Sequence, residues 1–202
     1  MSIRAIVFDW SGVLTESPLS GLRRYSAELG LPEESLDGFV RGDAEFARVE
    51  RGELSVRAFL KGVCVRVKER HHIDIDIRRL AAAMAETRTL RPSMLALVEE
   101  LTPNYALAIL TNNVGENREH LAATLPVDSF DHIVNSADVG VRKPDPAIYR
   151  ELLRRLGCDA AEVVYIDDFD ENLPAAADLG ITTIAFRGAD DLRARLSALE
   201  IL

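Results

Sequence analysis

The sequence has only two cysteines, Cys64 and Cys158, and no C-x-x-C spacing, so neither a disulfide framework nor a thiolate zinc site is available to it. Thiols so placed fit a reducing compartment. Runs of Lys and Arg are missing as well: 24 basic residues stand against 33 acidic ones, for a net charge of −9. A nucleic-acid binder needs a basic stripe to follow the phosphate backbone, and this chain has none. No apolar run is long enough to cross a bilayer, and Met1-Ser2-Ile3-Arg4 leads into a strand-like segment without the apolar stretch of a signal peptide. A cytoplasmic location and no membrane partner are therefore expected. There is no G-x-G-x-x-G string to hold a nucleotide cofactor, no internal repeat and no low-complexity tract. Small molecules remain as the expected partners, and nothing in the sequence marks an oligomeric state.

What is present is an ordinary globular composition, 48% hydrophobic and 28% charged over 202 residues. That length suits one core with a sizeable insertion. Short β-rich apolar runs over 3–8, 105–110, 132–134, 163–166 and 182–186 predict five strands. Helical patterns lie between them: 92–101 ahead of the second strand, a helix opened by Asp145-Pro146 and closed at Gly157, and one over about 171–179 that stops at Gly180. Alternation of this kind predicts an α/β fold, a Rossmann-like three-layer core with a parallel sheet whose ligands bind beyond the carboxyl ends of the strands. The exception runs from about 17 to 89. Helical patterns over 19–29, 43–51, 55–70 and 75–85, with no clear buried strand, predict an inserted α-helical cap. The Ile73-Asp74-Ile75-Asp76-Ile77 alternation reads as a turn into the last of these helices. The division expected is thus 1–15 and 90–202 for the core and 16–89 for the cap.

Four stretches at or beside predicted strand ends carry chemistry. Phe8-Asp9-Trp10-Ser11-Gly12 delivers a carboxylate from a buried strand into a loop. Ile109-Leu110-Thr111-Asn112-Asn113 ends a strand on a hydroxyl, and on its own reads equally as a turn. Gly140-Val141-Arg142-Lys143-Pro144-Asp145-Pro146 sets a lysine ahead of a proline-started helix. Tyr165-Ile166-Asp167-Asp168-Phe169-Asp170-Glu171-Asn172 places adjacent carboxylates at the end of an apolar strand. Their mutual repulsion is relieved by a hard, oxygen-seeking cation, and magnesium is the ion expected.

Together, over residues 8 to 180, these stretches resemble the four signature motifs of the haloacid dehalogenase-like hydrolases. The resemblance implies that Asp9 attacks phosphorus to form an aspartyl-phosphate. It implies that Thr111, with Asn112, holds a phosphoryl oxygen, and that Lys143 steadies Asp9 and offsets charge on the transferring group. By the same analogy Asp9, Asp168 and the backbone carbonyl of Ser11 bind Mg2+, with Asp167 acting directly or through water. In the cap, Glu50-Arg51-Gly52-Glu53-Leu54-Ser55 is similar to capped members near the sugar-phosphate phosphatases and the epoxide-hydrolase amino domains. A small phosphorylated metabolite is the substrate expected.

Ser11 departs from the family, which usually has there a second Asp that protonates the leaving group. Losing a general acid typically costs about a hundred- to ten-thousandfold. One reading keeps a phosphatase in which a water, a cap residue or an activated leaving group makes up the loss. A second is a C–P hydrolase, because Asp9-Trp10-Ser11-Gly12-Val13 is close to the Asp-Trp-Ala-Gly-Thr of the phosphonoacetaldehyde hydrolases. Those need a cap lysine for a Schiff base, and Lys61 and Lys68 are the cap's only lysines, a heptad apart on a predicted solvated face. A third is a haloacid dehalogenase proper, against which Asp167-Asp168 argues. A fourth is a slow domain that binds a phosphorylated ligand or a partner. His71-His72 read as a solvated pair and Cys64 as packing beside Leu60 and Val67.

Overall fold

The computed structural model describes residues 2–85, 89–113 and 129–202. Five strands form one parallel sheet: β1 (Ala5–Phe8), β2 (Ala106–Thr111), β3 (His132–Asn135), β4 (Val163–Asp167) and β5 (Thr182–Ala185), in the order β3-β2-β1-β4-β5. The apolar runs are short and nearly continuous because both faces of the sheet are covered. Ile6, Phe8, Ile109 and Ile166 face one layer, made by α5 (Pro92–Leu101) and a C-terminal helix. Ala5, Val7, Leu110 and Tyr165 face the other, made by the helices Pro146–Leu156 and Leu173–Ala177.

Between β1 and α5 the chain forms α1 (Pro18–Glu28), a tight turn of helix at Glu33–Phe39, α2 (Ala44–Glu50), α3 (Val56–His71) and α4 (Ile77–Ala85). Three of these four α-helix starts have a cap that is legible in the sequence. Ser17, Asp43 and Ser55 accept from backbone amides at the heads of α1, α2 and α3. Residues 73–76 are a non-strand linker into α4. These helices close on a core of their own, with Leu22, Leu36, Val63, Val67 and Leu80 buried in it. The chain leaves the sheet at Thr15 and returns at Leu90, where the two segments form an antiparallel bridge. The Arg91 amide donates to the Leu14 carbonyl at 2.8 Å, and its side chain to the Thr15 carbonyl at 3.1 Å. Of the expected cap range, 86–88 lie outside the described residues.

Two helices have almost no sequence signal. α6 (Ser136–Val139) is a single turn capped by Asn135. After α7 (Pro146–Leu156) and α8 (Leu173–Ala177) comes α9 (Ala189–Ala198), which buries only Leu192 and Leu196 among charged neighbours. The helix expected over 171–179 is shorter than its pattern, because a tight turn at Asp170–Asn172 precedes it and Pro174 sits in its first turn.

Leu80 is 2% exposed and Lys61 is exposed. Leu80→Ala is therefore expected to lower stability by about 2–5 kcal/mol, read as an earlier urea midpoint, and Lys61→Ala to stay within about 0.5 kcal/mol of the parent. Equal midpoints for the two variants would show that the cap has no packed core.

Candidate active site

Parallel register brings the site together. Phe8 pairs with Ile166, and the Asp9 amide donates to the Ile166 carbonyl at 2.8 Å, so Asp9 and Asp167 stand side by side one step past the hydrophobic layer. Lys143 reaches the same point from the loop ahead of α7. Its ammonium, 1% exposed, lies 2.9 Å from Asp9 Oδ1 and 2.7 Å from Asp167 Oδ2, and it donates to the Leu110 carbonyl at 3.1 Å. A second pair of bonds fixes that loop: the Lys143 amide donates to Asn112 Oδ1 at 2.8 Å, and Asn112 Nδ2 donates to the Lys143 carbonyl at 3.0 Å. The Asn112 amide thus positions the lysine.

Asp167 is saturated. Tyr165 Oη and both oxygens' partner Asn172 Nδ2 donate to its carboxylate, at 3.1 and 3.0 Å for Asn172, and the Phe169 amide donates at 2.8 Å. Asp9 Oδ1 also accepts from the Trp10 amide at 2.7 Å, which leaves Oδ2 without a protein partner among the described residues. Asp168 Oδ1 and Thr111 Oγ1 are buried with no hydrogen-bond partner. An orphaned carboxylate oxygen and an orphaned hydroxyl are costly to bury, and a bound cation and a phosphoryl oxygen would satisfy them.

Carboxylate oxygens of Asp9, Asp167 and Asp168 lie within 4.8 Å of one another. Three carboxylates and one ammonium leave two formal negative charges, which matches a divalent cation. Without one, burial and the charges of Asp167 and Asp168 push Asp9 up to about 8 against the pull of Lys143. Burial and Asp167 push Asp168 up to about 6. For Lys143 burial works against the charged form, but Asp167 and Asp9 prevail and hold the ammonium above its ordinary value. The turn Trp10–Leu14 completes the cradle. Gly12 takes a φ of +98°, and a Cβ there would stand 2.2 Å from Asp168 Oδ2, so only glycine lets the Asp168 carboxylate approach the loop that carries Ser11. These residues fit the magnesium expected from the sequence.

A cavity of about 430 Å³ opens in front of this cluster, between the strand ends and the helices 18–85. Asp9, Ser11, Asn112 and Lys143 line it, whereas Lys61 and Lys68 do not, and Lys68 instead pairs with Asp74 at 2.8 Å. A residue given no role from sequence, Glu50, enters the wall from α2. Its carboxylate lies 2.6 Å from Arg142 Nε, and its carbonyl accepts from Ser136 Oγ at 2.6 Å. Burial pushes its carboxyl up to about 7 against Arg142, Lys143 and Arg51. The signal available in the sequence was a carboxylate on the same helical face as Phe46 and Val49. Tyr165 and Asn172, which hold Asp167, lie at the two ends of the acidic motif, where sequence alone gives neither a role of its own.

Comparison with known proteins agrees with this geometry. The model of the haloacid dehalogenase-like hydrolase family matches residues 3–180. The mouse protein bifunctional epoxide hydrolase 2 is 32% identical over 204 residues, covering 91% of this chain and 36% of that protein, so the chain spans about a third of that relative's length. A sesquiterpene phosphatase of Aspergillus oryzae is 28% identical over 188 residues, covering 89% of this chain and 88% of the relative. A haloacid dehalogenase-family enzyme of Bacteroides thetaiotaomicron, solved with magnesium and inorganic phosphate, superposes with a TM-score of 0.68 at 21% identity, over 91% of this chain and 94% of that one. With that family's model matching residues 3–180 of its 202, the chain belongs to the haloacid dehalogenase-like hydrolases.

Proposed function

We propose that the chain is a magnesium-dependent phosphatase of a small phosphorylated metabolite, working through an aspartyl-phosphate on Asp9. The observation that carries the reading is the pairing of an unpartnered Asp9 Oδ2 with a buried ammonium 2.9 Å from the other oxygen of the same carboxylate. Relatives support it: one is a phosphatase by name, and a structural neighbour holds magnesium with phosphate.

Asp9, Asp168 and the Ser11 carbonyl would hold the ion, with Asp167 acting through its bonds to Lys143 and Asn172. When bound, magnesium supplies positive charge to the phosphoryl oxygens and favours the ionised nucleophile. Asp9 Oδ2 attacks phosphorus, and the bond from phosphorus to the ester oxygen breaks. Lys143 and the Thr111 hydroxyl hold the non-bridging oxygens, where charge is spread in the transition state. The departing oxygen takes one proton. Water then attacks phosphorus, gives up a proton, and releases inorganic phosphate and the Asp9 carboxylate.

Ser11 has no acidic proton to give, and we assign that shuttle to Glu50. It stands in the wall of the same cavity, and burial keeps it part-protonated near neutral pH, with Arg142, Lys143 and Arg51 as the charged groups acting on it. The cap lysines a C–P hydrolase requires lie outside the cavity, which leaves that alternative without its amine.

Magnesium-dependent hydrolysis of acetyl phosphate is expected to vanish in Asp9→Asn; a wild-type rate no higher than the variant's would identify a binding domain. Ser11→Asp should raise turnover of esters with poor leaving groups about tenfold or more and of activated ones far less, whereas equal or negative effects on both contradict the role given to Ser11. Glu50→Gln should slow poor leaving groups by about a hundredfold, with Ser11→Asp restoring the rate in the double variant. In the parent protein, kcat for such esters should fall as pH rises through about 7, since the acid form of Glu50 is lost there. A kcat that is indifferent to Glu50→Gln would assign the proton to water.

A further inference from the structure

The wall of the cavity is divided in two. Its sheet end carries the polar groups already described, together with Thr15, Asn113 and Glu171. Its cap end is formed mainly by Leu19, Val40, Phe46, Phe59, Leu60 and Met84. Among the described residues, the helices 18–85 contribute to this wall no Ser, Thr, Asn, Gln, His or Tyr side chain. The charged side chains on the cap side are Glu16, Arg41 and Glu50. Two of these are engaged: Glu50 pairs with Arg142, and the Arg41 guanidinium lies 4.9 Å over the Phe169 ring.

We infer that the substrate is a phosphate monoester of an apolar alcohol, its phosphoryl group at Asp9 and its hydrocarbon part among the cap side chains; this rests on the phosphatase reading above. A polyhydroxylated leaving group fits poorly, because each hydroxyl buried against Leu19, Phe59 or Met84 without a partner loses its hydrogen bonds to water and gains none. An alkyl or isoprenoid chain meets the opposite balance. Burial of each methylene favours binding by about fourfold when complete. Size sets the length. At about 30 Å³ per non-hydrogen atom, the share of a water molecule in the liquid, the 430 Å³ cavity holds roughly 14 atoms, a phosphoryl group and about ten more.

The division also gives the cap a reason to be built as it is. An aliphatic alcohol is a poor leaving group because its alkoxide is strongly basic, so its departing oxygen needs a proton, and Glu50 stands in the wall of the same cavity, paired with Arg142 next to Lys143.

The test uses the full chain with saturating magnesium. Turnover is measured for n-alkyl phosphates from ethyl to dodecyl, alongside glucose 1-phosphate, glycerol phosphate and acetyl phosphate. Binding of the matching n-alkyl phosphonates, which cannot be hydrolysed, is measured by calorimetry. We expect kcat/KM and phosphonate affinity to rise about two- to fourfold per methylene, to level near ten carbons, and to exceed the sugar phosphate by more than about a hundredfold at the plateau. Met84→Glu should flatten that gradient. A flat series, or a preference for glucose 1-phosphate, overturns the substrate class; if acetyl phosphate is still hydrolysed, the phosphatase reading survives. A phosphonate gradient with no turnover of any ester or of acetyl phosphate upholds the apolar subsite and overturns the phosphatase reading. Absence of both overturns both.

Discussion

The Lys143 ammonium ties the carboxyl end of the sheet together. It is buried, and a buried charge persists only where its partners recover the water it gave up. Here it has three: Asp9 at the end of β1, Asp167 at the end of β4 and the Leu110 carbonyl of β2. These are the three central strands, held in adjacent order. Loss of the ammonium would leave two buried carboxylates facing each other, so the spacing of the strand ends and the charge state of Asp9 depend on one side chain. The chain uses lysine sparingly, at only three positions among its 24 basic residues. A compact ammonium with three rotatable donors can meet three acceptors of different origin, whereas a planar guanidinium presents a fixed fork.

From that centre, coupling runs outward to the cap through ordinary contacts. Asn112 fixes the backbone of Lys143, and its neighbour Arg142 pairs with Glu50 at the end of α2. Ser136 adds a hydrogen bond to the Glu50 carbonyl, and the Cα of Gly52 lies so close to α6 that a Cβ would stand 3.1 Å from the Ala137 carbonyl. The cap therefore rests on the same loop that carries the lysine. A ligand that fills the cavity would touch both parts.

Much of the fold was legible because each strand is a short apolar run, and in β1 to β4 a polar residue ends the run or follows it directly, so that parallel register makes those endings neighbours. The five expected strands and the four helices between Ser17 and Ala85 are present within a residue or two. The short helix at Ser136–Val139 and the C-terminal Ala189–Ala198 were not legible, the first because a single turn has no period and the second because two leucines among charges make no stripe. The character of the cap wall was hidden for a different reason. Leu19, Phe46 and Met84 line the cavity, while Leu22, Val49 and Leu80, three or four residues away on the same helical stripes, pack the cap core. Periodicity identifies such a stripe but does not tell which end of it faces a void. Within the site, the strand-end carboxylates and the lysine were visible as motifs. The saturation of Asp167 by Tyr165, Asn172 and Lys143 required coordinates, since it depends on which donors converge on one carboxylate.

Calorimetric titration of magnesium into the parent protein, Asp9→Asn, Asp168→Asn and Lys61→Ala tests directly whether carboxylates from separate strand ends meet at a single divalent cation. One ion per chain is predicted for the parent and for Lys61→Ala, with each carboxylate variant binding at least about tenfold more weakly because it removes a charged oxygen ligand. Parent-like affinity in both Asp9→Asn and Asp168→Asn would contradict it.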